Sequence, residues 1–229
     1  MTAAWDLGPE AVPPPKPGLP WPVVIAATFL ASLSGLVLIL YVYAGLPLRF
    51  SGPFIAFPAG LLTLGFALFF RNRHAQLRRL AQLVLVGTIV GFAATVAYDV
   101  VRIGVKELFG FHFDPFRAQR MFGSLMFGVD PDSSGARLAG WLYHFLNGTN
   151  FAVIFTLLRP MGGLWWGLLW SLTLEGFMLL VYPKAVEISP DVGFMTISVL
   201  GHIAWGTVLG LGVRHWSPDR PRITEALTA

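Results

Sequence analysis

Apolar runs of about bilayer length recur along almost the whole chain, and they leave it few ways to fold. A hydrocarbon core about 30 Å thick takes about 20 helical residues to cross at a rise of 1.5 Å per residue. Runs of that kind occupy residues 21–46, 53–70, 80–105, 136–158, 162–182 and 192–213. In lipid no water satisfies an open backbone N–H or C=O, so each run has to be helical. The expected fold is therefore an all-α integral membrane bundle of about six transmembrane helices. Composition agrees: 55% of the residues are hydrophobic and 12% charged, where a soluble domain carries about 25% charged residues. The chain has no cysteine, which excludes disulfides, thiolate metal sites and iron–sulfur ligation.

The segments between the runs set domain limits and orientation. Five prolines between Val12 and Pro20 exclude a helix there. Lys16 is the one cation of that stretch, against Asp6 and Glu10, and no small-residue cleavage site follows; a signal peptide is not expected. The reading is a Pro-rich cytoplasmic tail over 1–20, a single transmembrane bundle over 21–213 and a cytoplasmic tail over 214–229. The strongest break is RNRHAQLRR at 71–79, with four arginines and His74. With six spans and the N-terminus inside, Lys16, those arginines, Arg159, Arg214, Arg220 and Arg222 all fall in the cytoplasm. The two short outer loops hold only Arg49 and Lys184. Cations of the long outer loop are offset by Glu107, Asp114, Asp130 and Asp132. The balance predicts that both termini are cytoplasmic. Trp21, Trp165, Trp166 and Trp216 fall at run ends, where amphipathic rings favour the headgroup level. The second run is short and contains Pro58, which predicts a kink or tilt.

The long outer loop has a pattern of its own. Asp114-Pro115 reads as an N-cap followed by proline at the first helical position. Ala118, Met121, Phe122, Leu125 and Met126 then share one face, and Arg117, Gln119, Arg120 and Ser124 the other. An interfacial helix is expected over 115–127, either a lid over the bundle or a connector that packs down onto it. VDPDSSG at 129–135 ends it as a loop. No basic face with interleaved aromatics lies outside the runs, so a nucleic-acid partner is not expected. The expected partner is the lipid bilayer, with Gly-rich helix faces open to a second copy or another membrane protein.

Apart from Arg137 at the very start of the fourth run, five ionisable residues lie inside the runs: Asp99 and Arg102 in the third, His144 in the fourth, Glu175 in the fifth and His202 in the sixth. A charge at mid-bilayer costs about 2.5–3.5 kcal/mol on insertion scales, so such groups face the bundle interior and take partners. Counting residues from the run ends puts Asp99, His144, Glu175 and His202 in the outer half or near the midplane. Asp99 and Arg102 are three apart on one face and able to neutralise each other. His144, Asn147, Gly148 and Phe151 share a face, with Asn150 beside it; His202, Trp205, Gly206 and Gly210 share another. The Gly206 and Gly210 spacing permits close helix approach. Gly87 and Gly91 repeat that spacing, by chance rather than as an internal repeat. The sequon Asn147-Gly148-Thr149 lies within a span and is discarded.

Three readings of these residues stay open. A transporter or proton- or ion-handling site would use His144, Glu175 and His202 on one polar cavity, with Asp99 and Asn147 in support. A structural or complex-assembly protein would use the same groups only to bind helices together, at about 0.6 kcal/mol each. A metal or haem site would use His144 and His202 as ligands, although no HxxxH or HExxH spacing supports it. No nucleophile elbow, phosphate loop or dinucleotide fingerprint points to an enzyme, and no cofactor is specified.

The C-terminal half resembles the YagU-like family of small bacterial inner-membrane proteins of uncharacterised function. The likeness rests on His144, FAVIF at 151–155, Pro160, LWWGLLW at 164–170, Pro183 and Gly201-His202-x-x-Trp205, and covers 142–212. It implies a bacterial inner-membrane location and supplies no reaction or cofactor. Asp99 and Glu175 have no counterpart in it.

Overall fold

The structure, a computed structural model, describes Leu19 and residues 21–73, 75–112, 114–186 and 191–220. Among these residues it has seven helices and no strand. They are α1 (Trp21–Ala44), α2 (Leu48–Phe70), α3 (Ala75–Phe109), α4 (Arg117–Phe127), α5 (Ser134–Leu158), α6 (Leu164–Val186) and α7 (Val192–Trp216). The expected tails lie outside the described residues, apart from Leu19 and the stretch 214–220. His74 and residues 187–190 also lie outside them.

Five helices, α1, α2, α3, α6 and α7, are long and apolar enough to cross a membrane. The sixth expected span, α5, has 25 residues but carries Arg137, His144, Asn147 and Asn150, which lower its apolarity. Its position explains how it tolerates them. α5 packs against α3, α4 and α1, so neighbouring helices replace lipid over much of its surface. The outer surface of the bundle carries large apolar side chains instead, among them Phe29, Leu61, Ile89, Leu169 and Leu211.

Small residues let the backbones close up. A Cβ at Gly206 would lie 2.6 Å from the Gly167 carbonyl oxygen, and one at Gly210 2.5 Å from that of Gly163. Two glycines on α7 thus face Gly163, just before α6, and Gly167 within it. Gly87 and Gly91 of α3 do the same against Val153 and the Gly148–Thr149 backbone of α5. Both glycine faces expected to be open to a partner protein are therefore occupied inside the chain.

Two elements differ from expectation in instructive ways. α2 starts directly after Pro47, five residues earlier than its apolar run suggests, and Gly52–Ala56 within it is π-helical. The Phe57 N–H reaches back to the Gly52 carbonyl, a wider turn that accommodates Pro53 and Pro58, neither of which has an N–H to donate. The expected kink is thus a π-bulge. α4 starts at Arg117 rather than at Pro115, because Asp114 caps a turn and not the helix: its Oδ1 accepts the Phe116 N–H at 2.9 Å. Gly128, with a φ of 64°, ends the helix. Phe122 and Met126 are 3% and 2% exposed, so the apolar face of α4 is turned onto the bundle. Contact with α5 is backbone to backbone, since a Cβ at Gly123 would overlap the Ala136 carbonyl and one at Gly140 that of Gln119.

Candidate functional site

α3 turns Tyr98, Asp99 and Arg102 toward the other helices, and all three are buried. Asp99 Oδ2 lies 3.0 Å from His144 Nε2 on α5, and Oδ1 lies 3.4 Å from Arg102 Nη1 one turn on. The other Arg102 terminal nitrogen donates to the Pro115 carbonyl just before α4. Its guanidinium stacks over the rings of Tyr98 and Phe116, 4.8 Å and 5.4 Å from their centroids. With the Gln119 amide oriented to satisfy both its ends, its oxygen accepts from Arg102 at 3.2 Å and its nitrogen donates to the Phe116 carbonyl. Asp99 is therefore shared between an arginine that docks α4 and a histidine on α5.

The second pair joins α6 to α7. Glu175 Oε2 accepts from Ser198 Oγ at 2.9 Å and lies 2.9 Å from His202 Nδ1. That same nitrogen is 3.0 Å from the Ser198 carbonyl. Both of its neighbours are acceptors, so Nδ1 carries the hydrogen. Glu175 Oε1 is buried and has no partner among the described residues. Ser198 stands one helical turn before His202, which brings both onto the face turned to α6.

Tyr98 stands between the pairs. Its ring centroid is 5.9 Å from that of His144 and, edge-on, 4.9 Å from that of His202. Each imidazole is thus held through one nitrogen, and the other, Nδ1 of His144 and Nε2 of His202, has no protein partner among the described residues. Both rings line one cavity of about 340 Å³. Asn147 lines it too: its side chain reaches the Tyr143 hydroxyl, which donates to the Ser34 carbonyl at 2.6 Å. Its Oδ1 is buried without a partner. The rest of the wall is largely apolar and aromatic, with contributions from Leu36 on α1, Phe122 on α4, Phe177 on α6 and Trp205 on α7.

The five ionisable residues chosen from the sequence thus fall into two groups that share a cavity. Glu175 and His202 are in contact, while His144 is bonded to Asp99 rather than to either of them. The mutual neutralisation expected of Asp99 and Arg102 is only half of what Asp99 does. Among the described residues no group of three or more His, Asp or Glu side chains is placed to hold a metal ion, and the Tyr98 ring lies against both of the imidazoles considered as ligands. Sequence reasoning did not single out Tyr98 or Ser198, and it placed Gln119 on the polar face of α4, whereas the structure buries it at 3% exposure. Ser198 was findable as the polar residue one turn from His202. Tyr98 was not, because a tyrosine in an apolar run draws no notice.

What the fold and these residues define is an apolar helical bundle of membrane-protein type, with two carboxylate–imidazole pairs, one of them fully buried, at a cavity among the helices. The chain belongs to DUF6789, a family of unknown function, whose model matches residues 81–224. That stretch takes in most of α3 and all of α4 to α7, with both pairs and Tyr98; α1 and α2 precede it. The family match carries no information on the YagU-like likeness. No curated protein and no solved structure matches the chain.

Proposed function

We propose that this protein is a multi-pass membrane protein that handles protons, with Asp99–His144 and Glu175–His202 as its exchanging pairs and Asn147 beside them. One observation carries the reading: each carboxylate fixes one nitrogen of its imidazole and leaves the other toward a shared cavity. An imidazole so held takes a proton on the open nitrogen, the carboxylate stabilises the cation that forms, and release reverses the step. Tyr98, against both rings, and any water in the cavity would connect the two. In this reading α5 is a sixth span walled in by its neighbours, and α4 lies at the interface over the outer end. The arginines at 71–79 and after α7 mark the cytoplasmic side of a bacterial inner membrane, with both termini inside. The bidentate bond from Arg79 to Asp219, with both N–O distances 2.8 Å, supports placing those two segments at one end.

The test is proton flux into liposomes that contain the purified chain and a trapped pH dye. Acid–base groups contribute about 10²–10⁴-fold to proton-transfer rates, so His144→Gln and Glu175→Gln should each lower flux at least about a hundredfold at equal protein content. Flux no greater than in empty liposomes, or unchanged in both variants, would refute the proposal. A structural reading is favoured at one residue: Arg102 is bonded to Asp99, Pro115 and Gln119 together, and its role here is to dock α4.

A further inference from the structure

The cavity has a second property that proton handling does not use. Ile39 and Phe177 line it and are also 41% and 58% exposed on the outside of the bundle. The same side chains therefore belong to the cavity wall and to the apolar outer surface. The cavity opens sideways, between α1 and α6, onto the surface that would face lipid. Next to the opening the two helices are tied by Tyr43, whose hydroxyl donates to the Leu180 carbonyl at 3.2 Å. Gln119 and Phe122 of α4 close part of the wall. A volume of about 340 Å³ falls within the range of small-molecule sites, about 300–1,000 Å³.

The chemistry of the wall narrows what enters. Arg102, the cation there, is neutralised by Asp99, so an anionic head would find no free countercharge. The open nitrogens of His144 and His202 are acceptors when the rings are neutral and donors when they are charged. A hydroxyl group, which donates and accepts, suits this set; a carboxylate or an ammonium does not. Around it stand the rings of Tyr98, Phe122, Tyr143, Phe151, Phe177 and Trp205, which suit a flat ring stacked or met edge-on. We infer that the cavity binds a membrane-soluble amphipath, a hydroxylated aromatic head on an apolar tail, with the hydroxyl at the imidazoles and the tail leaving between α1 and α6.

The experiment is a calorimetric titration of the full chain in phosphatidylcholine nanodiscs with para-dodecylphenol and with its methyl ether, corrected for uptake by empty discs. The phenol should bind one to one and about tenfold more tightly than the ether, a difference of one good hydrogen bond. His144→Gln should bring the two affinities within about twofold. Leu36→Trp, which fills part of the cavity from its wall while leaving both carboxylate–imidazole pairs intact, should weaken phenol binding about tenfold or more. Ile39→Trp, at the half-exposed rim, does the same if the first variant does not fold. Equal affinity for phenol and ether would reduce the site to a slot for any apolar chain and overturn the inference. So would phenol affinity unchanged in a folded tryptophan variant. The titration needs no proton gradient, so it succeeds or fails independently of the flux measurement.

Discussion

Asp99 and Glu175 look alike in the sequence, one carboxylate each inside an apolar run, but they are supported differently. Asp99 has a guanidinium on one oxygen and an imidazole on the other. Among the described residues Glu175 has Ser198 and His202, both on the same oxygen. Glutamine at 175 keeps an acceptor for both partners, and its amide nitrogen takes the place of the oxygen that has no partner among the described residues. Glu175→Gln should therefore shift stability by no more than about 1 kcal/mol, read as a melting temperature in detergent within a few degrees of the parent. Arg102→Met strands the Asp99 charge and should cost about 3–5 kcal/mol. A larger loss from Glu175→Gln than from Arg102→Met would contradict this division of roles. The expense of a charge in lipid was enough to single out all five ionisable residues from the sequence. It could not say how they pair, because that depends on how each helix is rotated about its axis. Nothing local to His144 indicates that it faces Asp99 and not Glu175.

Between elements, the closest approaches are made by glycine. α4 is held to α5 at Gly123 and Gly140, where a methyl group has nowhere to go but into a carbonyl. Gly123→Ala or Gly140→Ala should push the two helices apart at about 1–3 kcal/mol. α4 would then be cut by protease in native detergent extracts where the parent is not. Unchanged stability and protection would mean that the contact is looser than described. The amphipathic pattern of α4 and the distortion at Pro58 were both legible from residue order, since periodicity and a missing N–H are local facts. The start of α4 was misjudged by two residues because an aspartate before proline caps a turn as readily as a helix. That the Pro58 distortion is a π turn depends on a carbonyl five residues back, which composition does not reveal.

Over the whole molecule, the outer apolar surface and the Arg79–Asp219 bond organise the bundle as a body with two distinct ends. The absence of cysteine makes the ends easy to probe. Arg73→Cys and Arg220→Cys, both at exposed positions, should react with an impermeant thiol reagent from one side of intact cells or inverted vesicles. Asp132→Cys, also exposed, should react from the other. Labelling of all three from one side would remove the six-span reading. Five spans were plain from the sequence because apolarity and length suffice where lipid is the neighbour. The fourth run was drawn by length, and its polar residues were taken as possible site groups; that α5 packs its polar residues against α1, α3 and α4 is a fact of packing, invisible along the chain.

The inner position of α5 bears on how such a protein is made. A helix carrying Arg137, His144, Asn147 and Asn150 partitions poorly into lipid by itself, since insertion machinery reads each segment's own transfer free energy. Asp99 and the glycine face of α3 emerge from the ribosome first and give α5 a surface to meet as it enters. A partner made before the helix that depends on it gives so polar a segment a surface to pack against in so apolar a protein.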